Sequence, residues 1–187
     1  NIMAPGFGVG GYCLTKDALL ADWALQTHFD GKRRLDMSLE AVRVNDRMPL
    51  HTFSVLKEAV SSVEGLNVAL LGVSYRAGVA DTRSSPSGSF YDRCLEAGAT
   101  VSVHDPVAEE TTRPILGDRV DYADDPYGCL QDADALLLVT EWSVFRNPDW
   151  DRVRSLMRRP RIYDGRNLWT SESIRAAGFT YWGIGRA

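Results

Sequence analysis

The sequence predicts an α/β protein: an N-terminal helical segment followed by a doubly wound, mostly parallel Rossmann-like sheet. Three observations carry this. From residue 67 onward, short Val- and Leu-rich runs alternate with helical stretches, as strands joined by crossover helices do. The runs at 67–74 and 133–140 are apolar without alternation, the mark of strands buried on both faces. Before residue 65 the apolar residues recur every three or four positions instead.

Taken in order, 14–29 places Leu14, Ala18, Leu19, Trp23 and Leu25 on a helical stripe that Gly31 ends. Residues 32–47 set Leu35, Leu39 and Val42 on one face with charges opposite, an amphipathic helix. Pro49 either kinks that helix or opens a new one at its first turn, where a missing N–H costs nothing. Leu50, Phe53, Leu56 and Val60 continue the period to about 63. Residues 1–64 are therefore read as a helical region and 65–187 as the sheet domain. In the second part, strand 67–74 leads through a polar loop at 75–85 to a helix over 86–97, with Pro86 in its first turn and Gly98 behind it. The sequence then predicts strand 100–104, a weak helix at 108–116 and a short strand at 120–122. A helical turn at 126–130, strand 133–140, helix 149–157, strand 161–164, helix 171–177 and a last strand near Tyr181 complete it.

Of 187 residues, 44% are hydrophobic and 25% charged, ordinary globular usage that excludes disorder and collagen-like repetition. No apolar run approaches the roughly 18–20 residues of a membrane-spanning helix. A net charge of −4 argues against binding nucleic acid through a general basic surface. Cys13, Cys94 and Cys129 are too few for a disulfide framework, and His28, His51 and His104 are too scattered for a zinc site. The expectation is a reducing, cytoplasmic setting with no metal, no nucleic acid and no membrane. The first residues carry no basic stretch followed by an apolar one, so no secretory leader is read there.

The run Gly6-Phe7-Gly8-Val9-Gly10-Gly11 matches the letters of a dinucleotide fingerprint. Residues 1–5 are too short and proline-ended to supply the strand that gives such a fingerprint meaning. The glycines instead let the backbone wrap close to a ligand and present Cys13. A glycine-rich turn beside a buried cysteine is the plainer alternative. Lys16 and Asp17 weigh against it: a helix start and a lysine favour a thiolate, and a carboxylate one turn away can position hydrolytic water. Because the chain opens almost directly on this constrained loop, it reads as a fragment whose upstream partner is missing. Cys94 and Cys129 read as small buried hydrophobes. Asp105 suits a ribose or a structural turn, and Pro106 after it favours the turn.

Gly6-Phe7-Gly8-Val9-Gly10-Gly11-Tyr12-Cys13-Leu14-Thr15-Lys16-Asp17 resembles the catalytic loop of the UDP-glucose/GDP-mannose dehydrogenase family, the NAD-dependent nucleotide-sugar 6-dehydrogenases. The resemblance continues in Leu71-Gly72-Val73-Ser74-Tyr75-Arg76, Asp81-Thr82-Arg83-Ser84-Ser85-Pro86, Val103-His104-Asp105-Pro106, Thr140-Glu141-Trp142 and Asp164-Gly165-Arg166-Asn167, over essentially the whole chain. It implies that residues 1–64 are a central dimerisation region, making a homodimer through the helices at 32–63, and that 65–187 bind the nucleotide of a UDP-sugar. The main NAD domain would lie upstream.

The resemblance also implies roles. Cys13 would carry a thiohemiacetal and then a thioester as the sugar C6 alcohol becomes a carboxylate with two NAD, and Asp17 would assist hydrolysis. Lys16 and Arg83 match residues on the NAD side. Gly8, Val9, Gly10, Gly11, Tyr75, Arg76 and Arg166 match substrate contacts, Arg76 replacing the usual lysine with a fork suited to phosphate. Without the family order, Arg83 and Arg166 read as surface or carboxylate-paired arginines. Val9 departs from the phenylalanine of UDP-glucose enzymes toward those acting on N-acetylated sugars, while Lys16-Asp17 keeps the UDP-glucose pattern, so the sugar stays open. The competing reading is a noncatalytic nucleotide-binding or dimerisation module.

Overall fold

The computed structural model describes residues 6–29 and 31–186. The stretch 1–5, judged too short for a strand, lies outside the described residues. Two long helices come first, α1 (Tyr12–His28) and α2 (Asp36–Ala59). The rest alternates: β1 (Asn67–Leu71), α3 (Ser87–Glu96), β2 (Thr100–His104), α4 (Glu109–Leu116), β3 (Asp121–Tyr122), α5 (Pro126–Cys129), β4 (Ala135–Leu138), α6 (Trp150–Leu156), β5 (Arg161–Asp164), α7 (Ser171–Ala176) and β6 (Thr180–Gly183). Single 3₁₀ turns at Gly117–Arg119 and Ser143–Phe145, which the apolar pattern does not signal, tighten two connections.

All six strands pair in parallel in the order β3-β2-β1-β4-β5-β6. The order reverses between β1 and β4, and open α/β sheets bind ligands outside the carboxyl ends of their strands at such a switch point. Each face has its own core. On one, Leu56 of α2, Val60 just beyond its end, and Phe90 and Cys94 of α3 pack with Val68, Leu70, Val103 and Leu137. On the other, Leu130, Val153 and Ile174 pack with Ala69, Leu136, Ile162 and Tyr181. Strands buried on both sides explain the unbroken apolar runs.

Three details depart from the sequence pattern. The apolar stripe of 14–29 is not buried: Leu14, Leu19, Leu20 and Trp23 are each about half exposed. What α1 buries is Asp22, which accepts the Leu35 N–H at 2.9 Å and pairs with Arg34 at 3.1 Å, tying α1 to the start of α2. That amide and guanidinium hold the Asp22 carboxyl below the usual carboxylate range. Second, α2 runs through Pro49 without restarting. The hydrogen bond lost to the Asn45 carbonyl is outweighed by burial of Leu39, Val42, Pro49 and Leu56 along one face.

Third, β1 stops at Leu71 rather than near 74, because Gly72 turns the chain at φ +88° while its N–H still reaches the His104 carbonyl at 2.8 Å. A Cβ there would lie 2.4 Å from Thr140 Cβ and 2.8 Å from Thr140 N. Both the left-handed backbone and the backbone contact forbid a side chain. Gly72→Ala should therefore destabilise by about 2 kcal/mol or more. Thermal unfolding should show a midpoint lower by roughly 5 °C; an unchanged midpoint would mean the turn is not constrained in this way.

Candidate functional site

The glycine run lies across the carboxyl ends of β1, β4 and β5. Phe7 anchors it: fully buried, it meets Phe90 edge-on at 5.7 Å, and its N–H donates to the Gly165 carbonyl at 2.7 Å. Gly165 in turn donates to Leu138 at the end of β4. Gly10 and Gly11 then pass so close to the loop after β1 that side chains have no room. A Cβ on Gly10 would sit 2.6 Å from both the Ser84 carbonyl and Tyr75 Cβ, and one on Gly11 would meet the Tyr75 ring at 3.1 Å. Gly11 is the N-terminal boundary of α1, so Cys13 enters in the helix's first turn, exposed to solvent.

Lys16 and Asp17 follow in α1 as an exposed ion pair with each other. The Asp17 carboxylate pushes the Lys16 ammonium up from its ordinary value, with Cys13 adding to the effect. Thr15 turns inward and donates to the Gly11 carbonyl at 2.7 Å, closing the helix start.

Tyr75, Arg76 and Arg83 come from the loop between β1 and α3. The Tyr75 ring backs the glycines, and Arg76 is exposed, its guanidinium 5.8 Å from that ring, with no ion pair among the described residues. Arg83 grips Asp81 with both ends of its fork, 2.9 and 2.7 Å, and lies 4.3 Å over the ring of Tyr12. This pairing raises Arg83 and lowers Asp81 relative to their ordinary values. The loop turns back through Ser84, a non-glycine residue at φ +53°.

Arg166 belongs to the loop after β5 and is not a surface arginine: its side chain is 15% exposed. Its Nε donates to the Val139 carbonyl and lies 3.3 Å from Glu141, while Nη1 would be 2.9 Å from a Cβ on Gly6. Burial lowers its guanidinium from the ordinary value, and Glu141 opposes that. The structure thus gathers Gly8, Val9, Gly10, Gly11, Tyr75, Arg83 and Arg166 around one loop, with Arg76 at its rim and Cys13, Lys16 and Asp17 on the helix leaving it.

Two buried aspartates hold the flanking loops. Asp164, ending β5, accepts from the N–H groups of Arg166 (3.0 Å) and Trp169 (2.8 Å) and from the Tyr181 hydroxyl (3.1 Å). Asp105, just beyond β2, accepts the N–H groups of Val73 and Ser74 at 2.9 and 3.0 Å. It is the structural residue that Pro106 suggested. This also tests the sheet as a dinucleotide site. The amides after β1 that would face a pyrophosphate are spent on Asp105, Gly72 is packed on Thr140, and Asp105 is not free for a ribose. The sheet does not fit NAD.

Three contributors were not legible as site residues. Phe7 is the large apolar residue within the glycines, a signal of anchoring. Asp164 repeats the strand-ending aspartate already visible at Asp105. Asn45, which holds Val9 from α2, reads in sequence as one more polar residue on a solvent face. The other cysteines are buried as expected, and burial pushes the Cys94 and Cys129 thiols up to about 12.

Residues 69–171 match the model of the UDP-glucose/GDP-mannose dehydrogenase family, UDP binding domain. The chain is 32% identical over its whole length to the UDP-glucose 6-dehydrogenase TuaD of Bacillus subtilis, covering 40% of that protein. Among solved structures, a UDP-glucose dehydrogenase from Pyrobaculum islandicum superposes with a TM-score of 0.81 at 30% identity, over 97% of this chain and 39% of that one. An NDP-N-acetyl-D-galactosaminuronic acid dehydrogenase from Methanosarcina mazei gives 0.81 at 33%, over 97% and 39%. The chain therefore spans about two-fifths of the length of the curated relatives it matches.

Proposed function

The chain belongs to the UDP-glucose/GDP-mannose dehydrogenase family, and from that premise we propose that it holds the nucleotide of a UDP-sugar and supplies the cysteine of a nucleotide-sugar 6-dehydrogenase. The observation that carries this is the laying of the Cys13 loop across the switch-point edge of the sheet, directly against Tyr75. A nucleotide at that edge would have Arg76 for its diphosphate, and the sugar would extend toward Cys13.

In this reading the sulfur of Cys13 adds to the C6 aldehyde, and after oxidation the acyl group remains as a thioester. Asp17, one turn along α1, positions the water that cleaves it, returning the sulfur as leaving group. NAD would supply the hydride acceptor for both oxidations, held chiefly by a part of the protein other than this sheet. Lys16 and Arg83, exposed at the rim, are the cations this chain offers its phosphates. Residues 1–64 and 65–187 divide the work into cysteine-bearing helices and nucleotide-binding sheet. The exposed Met37, Val44 and Leu50 of α2 suit a homodimer through the helices at 32–63.

Titration calorimetry of UDP, uridine and NAD into the 187-residue chain tests the placement. UDP should bind and outcompete uridine, because charge-assisted contacts to phosphate contribute roughly 1.5–3 kcal/mol each. Arg76→Ala should weaken UDP about tenfold or more, at about 1.4 kcal/mol per decade, and added salt should weaken it too. Arg76 is the clean probe, since removing Arg166 would leave the half-buried Glu141 without its cation. Tight NAD binding with no UDP binding would overturn the assignment of this edge to substrate.

A further inference from the structure

We propose that Asn45 is a positioning residue for the Cys13 loop, a clamp that takes both backbone polar groups of Val9 at once. The proposal rests on reading Cys13 as the nucleophile. Asn45 stands within α2, 36 residues from Val9; its Oδ1 accepts the Val9 N–H at 2.7 Å, and its Nδ2 donates to the Val9 carbonyl at 2.8 Å. One planar amide thus gives Val9 the donor–acceptor pair that a neighbouring strand would give.

The placing of this clamp is what makes it functional. The loop is tied to Gly165 at Phe7 and to Thr15 at Gly11. Val9 lies midway between those two ties, just before the glycines that press on Tyr75 and lead into Cys13. Val9 is 37% exposed, so its backbone bonds rather than packing hold it. The other end of the clamp is anchored, because α2 is packed on the sheet through Leu56 and, just beyond its end, Val60, with Thr52 within 3.4 Å of the Tyr163 hydroxyl. Beside the clamp is a polar cavity of about 240 Å³, bounded by Asn45, Asp46, Thr15, Ser84 and Ser89. Water from it can reach Val9 when the amide is removed, so losing Asn45 should cost order in the loop rather than the fold.

The test uses the 187-residue chain as wild type, Asn45→Ala and Asn45→Asp, the last keeping the acceptor and losing the donor. Three quantities are measured: amide hydrogen exchange at Val9, the rate of Cys13 alkylation by iodoacetamide, and the melting temperature. Expected in Asn45→Ala are Val9 exchange about tenfold faster or more, the loss of two neutral hydrogen bonds, and Cys13 alkylation changed by about threefold or more. Amides of β1 and β4 should exchange as before, and Asn45→Asp should fall between the two. Wild-type exchange at Val9, or wild-type alkylation of Cys13, would overturn the proposal. So would faster exchange throughout the sheet with a collapsed melting temperature, which marks a merely structural residue. Acid production surviving Cys13→Ala in a protein that joins this chain to a dinucleotide-binding domain would remove the nucleophile reading alone and leave the Val9 exchange result untouched.

Discussion

Asp105→Ala should cost the protein about 3–5 kcal/mol, a loss reserved for broken buried networks. Oδ2 of Asp105 accepts from the N–H groups of Val73 and Ser74, from the Ser74 hydroxyl at 2.8 Å and from Trp142 Nε1 at 3.2 Å. Its Oδ1 accepts from Val107 at 3.2 Å and Ala108 at 3.1 Å. One carboxylate therefore holds the loop that follows β1, starts the connection toward α4 and holds the indole after β4, while itself only 7% exposed. Alanine leaves those donors without an acceptor, and each buried N–H left so costs roughly 1–3 kcal/mol before water reclaims part of it. Asp105→Asn should also destabilise, by turning an amide NH₂ toward donors. Circular dichroism melts should place the alanine variant roughly 10 °C below wild type. A shift under about 2 °C would show that these bonds are dispensable.

The largest effect on chemistry should come from Cys13→Ala. In a protein joining this chain to a dinucleotide-binding domain, the variant should lose acid formation by more than the roughly 10²–10⁴-fold that a general acid or base typically contributes, because the proposed thioester could not form. Cys94→Ala and Cys129→Ala are the controls. Both thiols are buried and, with burial pushing them up to about 12, are not thiolates near neutral pH. Their replacement should lower stability and leave turnover per folded molecule unchanged. Near-normal acid output from Cys13→Ala would end the nucleophile assignment.

The sheet was legible because its cause is local and repetitive. Strands such as Ala135–Leu138, covered on both faces, must be apolar at every position, and crossover helices must separate them. The loop stands out in the sequence as a candidate site, since glycines followed by Cys13, Lys16 and Asp17 make a combination that mere folding does not require. What escaped was set by distance along the chain. Asn45 meets Val9 across 36 residues, and Arg166 meets Val139 across 27, so neither pairing leaves any periodicity to read. The exposed stripe of α1 misled for a related reason: amphipathic spacing says that a face is apolar and not which surface covers it.

The shared core of α2 and the sheet bears on how such proteins can be recombined. Leu56, Val60 and Val63 belong to the same buried cluster as Val68, Phe90 and Val101, so the packing runs straight across residue 65. A gene cut there, however neutral it looks as a glycine between regions, would leave each piece with half an interface bared to water. Exchange of parts between relatives that preserves a folded product should fall farther upstream, in the 29–35 connection, where Asp22 and its partners form the tie that has to be matched.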